Sequence, residues 1–411
     1  MRIYLIPFFS SITPKERQEN VLSQLRIDKD QIITTEQFFS KDYPVIFEDQ
    51  FYFFVGTGGT EIDIATFIEH SNFQSPIILL SYDQNNSLPA AMETRSYFEE
   101  KGLDCRIIHS TLEDLAYILQ KWNKFARIKE KLKNSRIGMI GTPSEWLIAS
   151  RIDEKAILMG WGTKIVSIPI SELIQGSITD FSEKTKAMSK EFLQQATETT
   201  IDSENIRKAV SVVEILQELA KKYQLDALSV ECFSLILKTN ITACYALSYL
   251  NDQGIVAGCE GDIPSTFTML LVRFLTNQPS FMANVIHTNP HNNRIILAHC
   301  TVALDMLEEY SITTHFETGK STAIRGNFQT PQEVTIVKVG GKKLTQWWIT
   351  KGTILSNPNV PLACRTQIEV AIDKPVNYFL EKSLANHHIV ILGDHTEIIQ
   401  QFLEFILQKT T

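Results

Sequence analysis

At 411 residues the chain is too long for one ordinary domain, and 44% hydrophobic with 21% charged residues is the composition of a soluble globular protein. A net charge of -8, with no dense Lys/Arg stripe to offset it locally, argues against a phosphate backbone as partner, so no nucleic acid is expected. No apolar run approaches the roughly 18–20 residues of a membrane helix, and no membrane partner is expected.

The apolar start "MRIYLIPFFSS" is too short for a signal peptide and runs into the charged "PKERQEN". "RIYLIPF", "FYFFVGTGG", "SPIILLS" and "DCRIIH" follow as strands, with helical patterns over 88–101 and 111–132 between them. Strands separated by helices predict a parallel sheet. A second α/β unit begins with a strand at 136–140 and continues through "KIVSIPI" (164–170). A long helix is predicted over 203–222, capped by Ser203, with Ile206, Val210, Val213, Leu216 and Ala220 on one face. "LDALSVE" reads as a strand and 239–251 as a helix.

After residue 265 the texture changes. A helix, "TFTMLLVRFLT", precedes "RIILAHC", "EVTIVKV-GGKK-LTQWWIT", "TQIEVAI" and "HHIVILG", and the "GGKK" marks a hairpin. A terminal helix over 396–408 closes the chain. The expected architecture is α/β: two Rossmann-like parallel-sheet domains (residues 1–133 and 134–262) followed by a β-rich, barrel-like domain (263–411).

The cysteines (Cys105, Cys232, Cys244, Cys259, Cys300, Cys364) form no Cys-x-x-Cys pair, which excludes the common zinc ribbons and thioredoxin-like motifs. With an apolar start too short for a signal peptide, this predicts a reduced, cytoplasmic protein. Two glycine-rich loops invite a nucleotide reading and fail it. In "VGTGGTE" the third glycine of a dinucleotide fingerprint falls on Glu61, whose charge opposes a pyrophosphate, so the loop reads as a tight turn capped by Thr60. In "ETGKST" the leading glycine of a phosphate loop falls on Thr314.

"IVAGCEGDIPS" poses a sharper question, because Glu260 and Asp262 crowd two negative charges at the end of an apolar run. A divalent cation between them would turn that repulsion into attraction, and Mn2+ or Mg2+ favours such oxygens, with imidazole acceptable to manganese. His299 in "LAHCTVA", His315 and Glu317 in "THFETG", and His387 and His388 in "ANHHIVILGDH" supply further polar groups. The plainer alternative is a turn followed by a helix that Asp262 caps, with histidines that only pack or hydrogen-bond.

The order of these segments resembles that of the L-fucose isomerase-like and L-arabinose isomerase-like proteins. The likeness is carried by "CEGDIPSTFTMLLVRFLTNQPSFMANV", then "HCTVA", "HFETG" and "ANHHIVILGDH". The resemblance implies a metal-dependent aldose–ketose isomerase acting on a monosaccharide through an enediolate, with Mn2+ or another divalent cation such as Mg2+. It also implies a homo-oligomer, trimer or hexamer. Asp262 and His387 match the family's metal ligands. Glu260 is a further ligand or, like Glu317 and Asp262, a catalytic acid or base, and His299 and His388 would hold sugar hydroxyls. The fucose enzymes carry a second metal-binding Glu on the preceding helix, but "TNITACYALSYLND" has no acid before Asp252, leaving Glu260, Glu231 and Glu317 as replacements. This departure points away from L-fucose itself; the alternatives to the plain isomerase reading are a sugar-binding relative without isomerase activity and an isomerase for a modified (deoxy or sulfo) sugar.

Overall fold

The computed structural model describes residues 2–40, 49–71, 73, 76–175 and 181–407. The chain divides into two compact units, Met1–Glu130 and Lys131–Thr411. In the first, strands β1 (Ile3–Phe8), β2 (Gln50–Val55), β3 (Ile77–Tyr82) and β4 (Cys105–Ser110) form a parallel sheet in the order β1-β2-β3-β4. The apolar runs "IYLIPF" and "QFYFFV" are buried almost throughout, as strands covered on both faces must be. The expected strand 75–81 forms from Ile77, and its predicted first residue, Ser75, lies outside the described residues. Gly56 to Thr60 make the turn from β2 into the helix Glu61–Ser71. Thr60 is fully buried there, and its hydroxyl donates back to the Thr57 carbonyl at 2.9 Å instead of accepting a helix amide.

The second unit contains a parallel sheet and a closed barrel. Strands β5 (Arg136–Ile140), β6 (Lys164–Ile168), β7 (Ala227–Val230) and β8 (Val256–Cys259) take the order β6-β5-β7-β8. The strand order reverses between β5 and β7, and in open parallel sheets such a reversal opens a crevice at the carboxyl ends of the strands. The barrel is antiparallel and six-stranded: β9 (Phe281–Asn289), β10 (Arg294–His299), β13 (Gln332–Gly340), β14 (Gln346–Ser356), β15 (Thr366–Ile372) and β16 (His387–Leu392), in the order β10-β15-β14-β13-β16-β9. Two shorter strands, β11 (Glu309–Thr313) and β12 (Ala323–Asn327), pair separately, and "ETGKST" lies in their connection. The "GGKK" hairpin forms as expected, with Gly340 opposite Gln346.

The helix Ile263–Thr276 is apolar on nearly every side because it has neighbours on both: it touches β5, β7 and β8 of the sheet and β13 and β16 of the barrel. It therefore couples the parallel sheet to the barrel. Two helical expectations change. The long helix runs Ser203–Tyr223 and is capped one residue earlier than expected, by Asp202, whose Oδ1 accepts from the Glu204 and Asn205 amides at 3.0 and 2.9 Å. A carboxylate outcompetes the neighbouring hydroxyl as an N-cap here because it satisfies two orphan amides at once. The helix expected over 239–251 begins later, at Cys244, and runs to Asp252. A short helix not expected from the sequence, Cys232–Thr239, precedes it and ends at Asn240, which adopts a left-handed conformation (φ 58). The terminal helix is Thr396–Leu407, and its expected last residue, Gln408, lies outside the described residues. Among the described residues no helix is long and apolar enough to cross a membrane.

Asn251 joins the second of these helices to the strand that leads to Glu260. It is buried, its Nδ2 donates to the Leu247 and Ala257 carbonyls at 2.8 Å each, and its Oδ1 accepts from the Ala257 amide at 3.0 Å. Asn251→Ala strands the Ala257 amide and carbonyl away from water. Each such buried orphan costs about 1–3 kcal/mol, so chemical denaturation should show a loss of about 2–5 kcal/mol.

Candidate metal centre

Strand β8 ends at Cys259, and the next two residues both turn left-handed: Glu260 has φ 63 and Gly261 φ 67. A Cβ at Gly261 would stand 2.7 Å from Thr142 O and Pro143 Cα, both backbone, so this position requires glycine. The bend is tied by three backbone bonds: the Gly261 amide to Val230 O (3.1 Å), the Asp262 amide to Cys259 O (3.1 Å) and the Ser144 amide to Glu260 O (2.9 Å). Two neighbouring carboxylates consequently leave the chain in different directions, each toward its own partners.

Asp262 turns into the protein and becomes the N-cap of the helix Ile263–Thr276. Its Oδ1 accepts from the Ser265 amide at 2.9 Å, and its Oδ2 accepts from Ser265 Oγ at 2.7 Å and meets His387 Nδ1 at 2.9 Å. Lys338 Nζ lies 3.8 Å from the same Oδ2. Asp262, Lys338 and His387 are all fully buried. Burial pushes the Asp262 carboxyl up, but the Lys338 ammonium and the His387 imidazole outweigh it and hold the group well below the usual carboxylate range. An ionised carboxylate only accepts, so a proton of this contact sits on His387 Nδ1, and Nε2 points away from Asp262.

Glu260 turns toward two imidazoles. Its Oε2 accepts from the indole nitrogen of Trp146 at 2.8 Å. Its Oε1 stands 3.6 Å from His387 Nε2 and 3.8 Å from His299 Nε2. His299 ends β10 and His387 begins β16; both strands pair with β9, where Asn284 lies opposite Ala298 and His387. The ring centroids of the two histidines are 5.3 Å apart. His299 Nδ1 is held by Thr301 Oγ1 at 3.0 Å, as His387 Nδ1 is by Asp262. Burial raises the Glu260 carboxyl, yet the facing His299 and His387 keep it well below its ordinary range. Burial lowers His299; it also lowers His387, which its two carboxylate neighbours nevertheless bring above the ordinary histidine value.

The two Nε2 atoms are buried without a hydrogen-bond partner in the protein. A buried polar atom left unsatisfied is costly, and two of them aimed at one carboxylate oxygen define a place for something else. One ligand atom from each of Glu260, His299 and His387 lies within 4.8 Å of the others, and this is the one group of its kind found among the described residues. One carboxylate oxygen and two imidazole nitrogens suit a divalent ion such as Mn2+ and leave coordination positions open for a substrate. The residues present therefore fit a cation.

The residues singled out from the sequence do not all meet. Glu260, His299 and His387 converge. Asp262, expected as a metal ligand, stands behind His387 with its oxygens engaged by Ser265, Lys338 and the Nδ1 side of that ring. His388 points to the other face of β16, as the residue after His387 must. It packs among Trp348, Tyr378 and Phe379, with Tyr378 OH at 3.1 Å from its Nε2, and burial lowers its pKa to about 3. Glu317 lies on the connection between β11 and β12 and lines the cleft beside Glu260 and His299, together with His315, Asn284, Thr242 and Phe233. The residue is exposed, and partial loss of water around its carboxyl and then the Glu260 charge raise its pKa. Glu231, at the end of β7, has its carboxylate engaged by the Thr142 amide (2.7 Å) and the Ser234 hydroxyl.

Three participants escaped the sequence reading. Lys338 was visible as a lone charge within the apolar strand "EVTIVKV", whereas Trp146 and Ser265 carried no signal of their own. The cysteines, unpatterned along the chain, gather in space: Cys232, Cys244, Cys259, Cys300 and Cys364, all free thiols, line the same cleft.

No protein-family model matches the chain. It is similar to the sulfoquinovose isomerase of Alkalicoccus urumqiensis, with 20% identity over 310 residues, covering 70% of this chain and 68% of that one. The sulfoquinovose isomerase of Priestia aryabhattai is 21% identical over 296 residues (66% and 63%), and that of Clostridium sp. (strain MSTE9) 23% identical over 300 residues (67% and 65%). The chain thus spans about two-thirds of the length of the relatives it matches. The similarity to sugar isomerases expected from the order of its motifs is present, and these relatives support an isomerase enzyme.

Proposed function

We propose that the chain is a divalent-metal-dependent aldose–ketose isomerase whose substrate is a monosaccharide of the sulfo-sugar class. The observation that carries this reading is the pair of buried, unpartnered Nε2 atoms of His299 and His387 facing Glu260 Oε1, in a chain whose relatives are sulfoquinovose isomerases. Glu260, His299 and His387 would hold the ion, Mn2+ or another divalent cation such as Mg2+. Bound there, such an ion supplies a fixed positive charge that lowers the cost of the negative charge developing when a proton leaves carbon beside a carbonyl.

The chain's own groups account for the remaining requirements. Trp146 holds one oxygen of Glu260 and leaves the other free to face the imidazoles. Thr301 and Asp262 orient the two rings from behind. Glu317 is the acid that lines the cleft without belonging to the ligand group, and its raised pKa makes it the better proton acceptor, as moving a proton between C2 and C1 requires. Asp262 is enclosed behind His387 and takes no direct part in proton transfer.

Metal-free protein reloaded with Mn2+ should, in deuterated water, incorporate deuterium at C1 or C2 of a sulfo-aldose more readily than of unmodified or deoxy-aldoses, measured by NMR. Tight binding of a sugar without exchange would instead establish a sugar-binding relative lacking isomerase activity. Glu260→Gln and His299→Ala should abolish stoichiometric metal in elemental analysis. Glu317→Gln should retain metal and lose exchange by about 100-fold or more, the usual scale of general acid–base catalysis. If Glu231→Gln removes exchange while Glu317→Gln does not, proton transfer belongs to Glu231.

A further inference from the structure

Lys338 is the least expected group around the centre. It sits in β13 between Val337 and Val339, with no exposed surface at all. An ammonium in such surroundings is expensive unless paired and hydrogen-bonded. Its Nζ donates to Ser265 Oγ at 2.7 Å and lies 3.8 Å from Asp262 Oδ2. Ser265 Oγ in turn donates to Asp262 Oδ2 at 2.7 Å, the oxygen that meets His387 Nδ1 at 2.9 Å. A continuous chain of contacts therefore runs from β13, through the first turn of the helix Ile263–Thr276, to the back of the His387 ring. The front of that ring carries the unpartnered Nε2.

We infer that Lys338 is a positioning residue for the metal centre: acting through Ser265 and Asp262, it fixes the His387 ring so that Nε2 faces Glu260 and His299. Two negative side chains two residues apart make this necessary. Lys338 Nζ on the far side joins the Ser265 amide and hydroxyl in keeping Asp262 turned inward against His387 while Glu260 occupies the front. Lys338 supplies its amino group from a barrel strand, where the backbone ladder pairs it with Trp348 of β14. A fold-only role for the Lys338–Asp262 pair would alter the stability of the protein and leave a folded centre unchanged.

The inference rests on the reading of Glu260, His299 and His387 as the cation-holding group, and the test separates the two. Metal-free wild type, Lys338→Met and Ser265→Ala are titrated with Mn2+ calorimetrically and with Co2+ by visible absorption, alongside thermal melts. Loss of a group that orients a metal-binding histidine weakens binding by about 10-fold to 100-fold. Lys338→Met should fall in that range and shift the Co2+ absorption bands, and Ser265→Ala, which removes the hydroxyl link but keeps the capping amide, should weaken binding several-fold. Folded Lys338→Met with wild-type affinity and an unchanged Co2+ spectrum overturns the positioning role, even if its melting temperature drops. Should Lys338→Met fail to fold, full affinity in Ser265→Ala overturns it equally. Wild type that binds neither ion overturns the cation-holding group, and the inference with it.

Discussion

Everything at the centre depends on two consecutive left-handed residues. With Glu260 and Gly261 both at positive φ, a chain leaving a parallel strand reverses its side-chain direction within one step. The same bend that sends Glu260 forward to the imidazoles sends Asp262 back to begin a helix, so two acids that would repel along an extended chain are given separate counter-charges. Gly261 admits no side chain because the backbone of Thr142 and Pro143 fills the space. A non-glycine residue at 260 is itself strained in this region, and backbone strain of this kind persists where surrounding contacts over-determine it. Here those contacts are the three amide bonds across the bend and the indole of Trp146.

The rest of the second unit brings imidazoles to that bend. The carboxyl ends of β7 and β8 deliver Glu231 and Glu260, as the reversed strand order of the sheet would lead one to look for. The barrel delivers His299 and His387 from two strands that share β9 as neighbour. Between sheet and barrel lies the helix Ile263–Thr276, whose near-complete burial joins the two sources of these side chains into one packed body. Position in such a site comes from strands and a capped helix, which hold side chains more tightly than loops do.

Much of this was legible in the residues. Alternating strand and helix signals gave the parallel sheets, and the "GGKK" hairpin with its β-rich surroundings gave the barrel, because period and turn chemistry are local properties. Glu260, His299 and His387 could be nominated from their types and their places at strand ends. Their roles could not be separated from those of Asp262 and His388. Which of two adjacent histidines faces Glu260 depends on the register of β16 against β9 and β13, and which of two acids faces the Nε2 atoms depends on φ at residues 260 and 261. Neither is written in composition or spacing. Lys338 shows the same division: a charge inside an apolar strand announces a buried partner, and only the folded chain says which.

The sulfur-lined wall has a consequence for which ions can occupy the cleft. Its anchoring group offers oxygen and nitrogen, while the surrounding thiols of Cys232, Cys244, Cys259, Cys300 and Cys364 are polarisable and deprotonate when a thiophilic ion approaches. On the proposed reading, manganese and magnesium would have little affinity for these thiols, whereas copper(I), cadmium or mercury would be held by them. If the centre holds a hard ion as proposed, a soft heavy metal would compete for the same cleft from the sulfur side, and poisoning would be the counterpart of tolerance for hard ions.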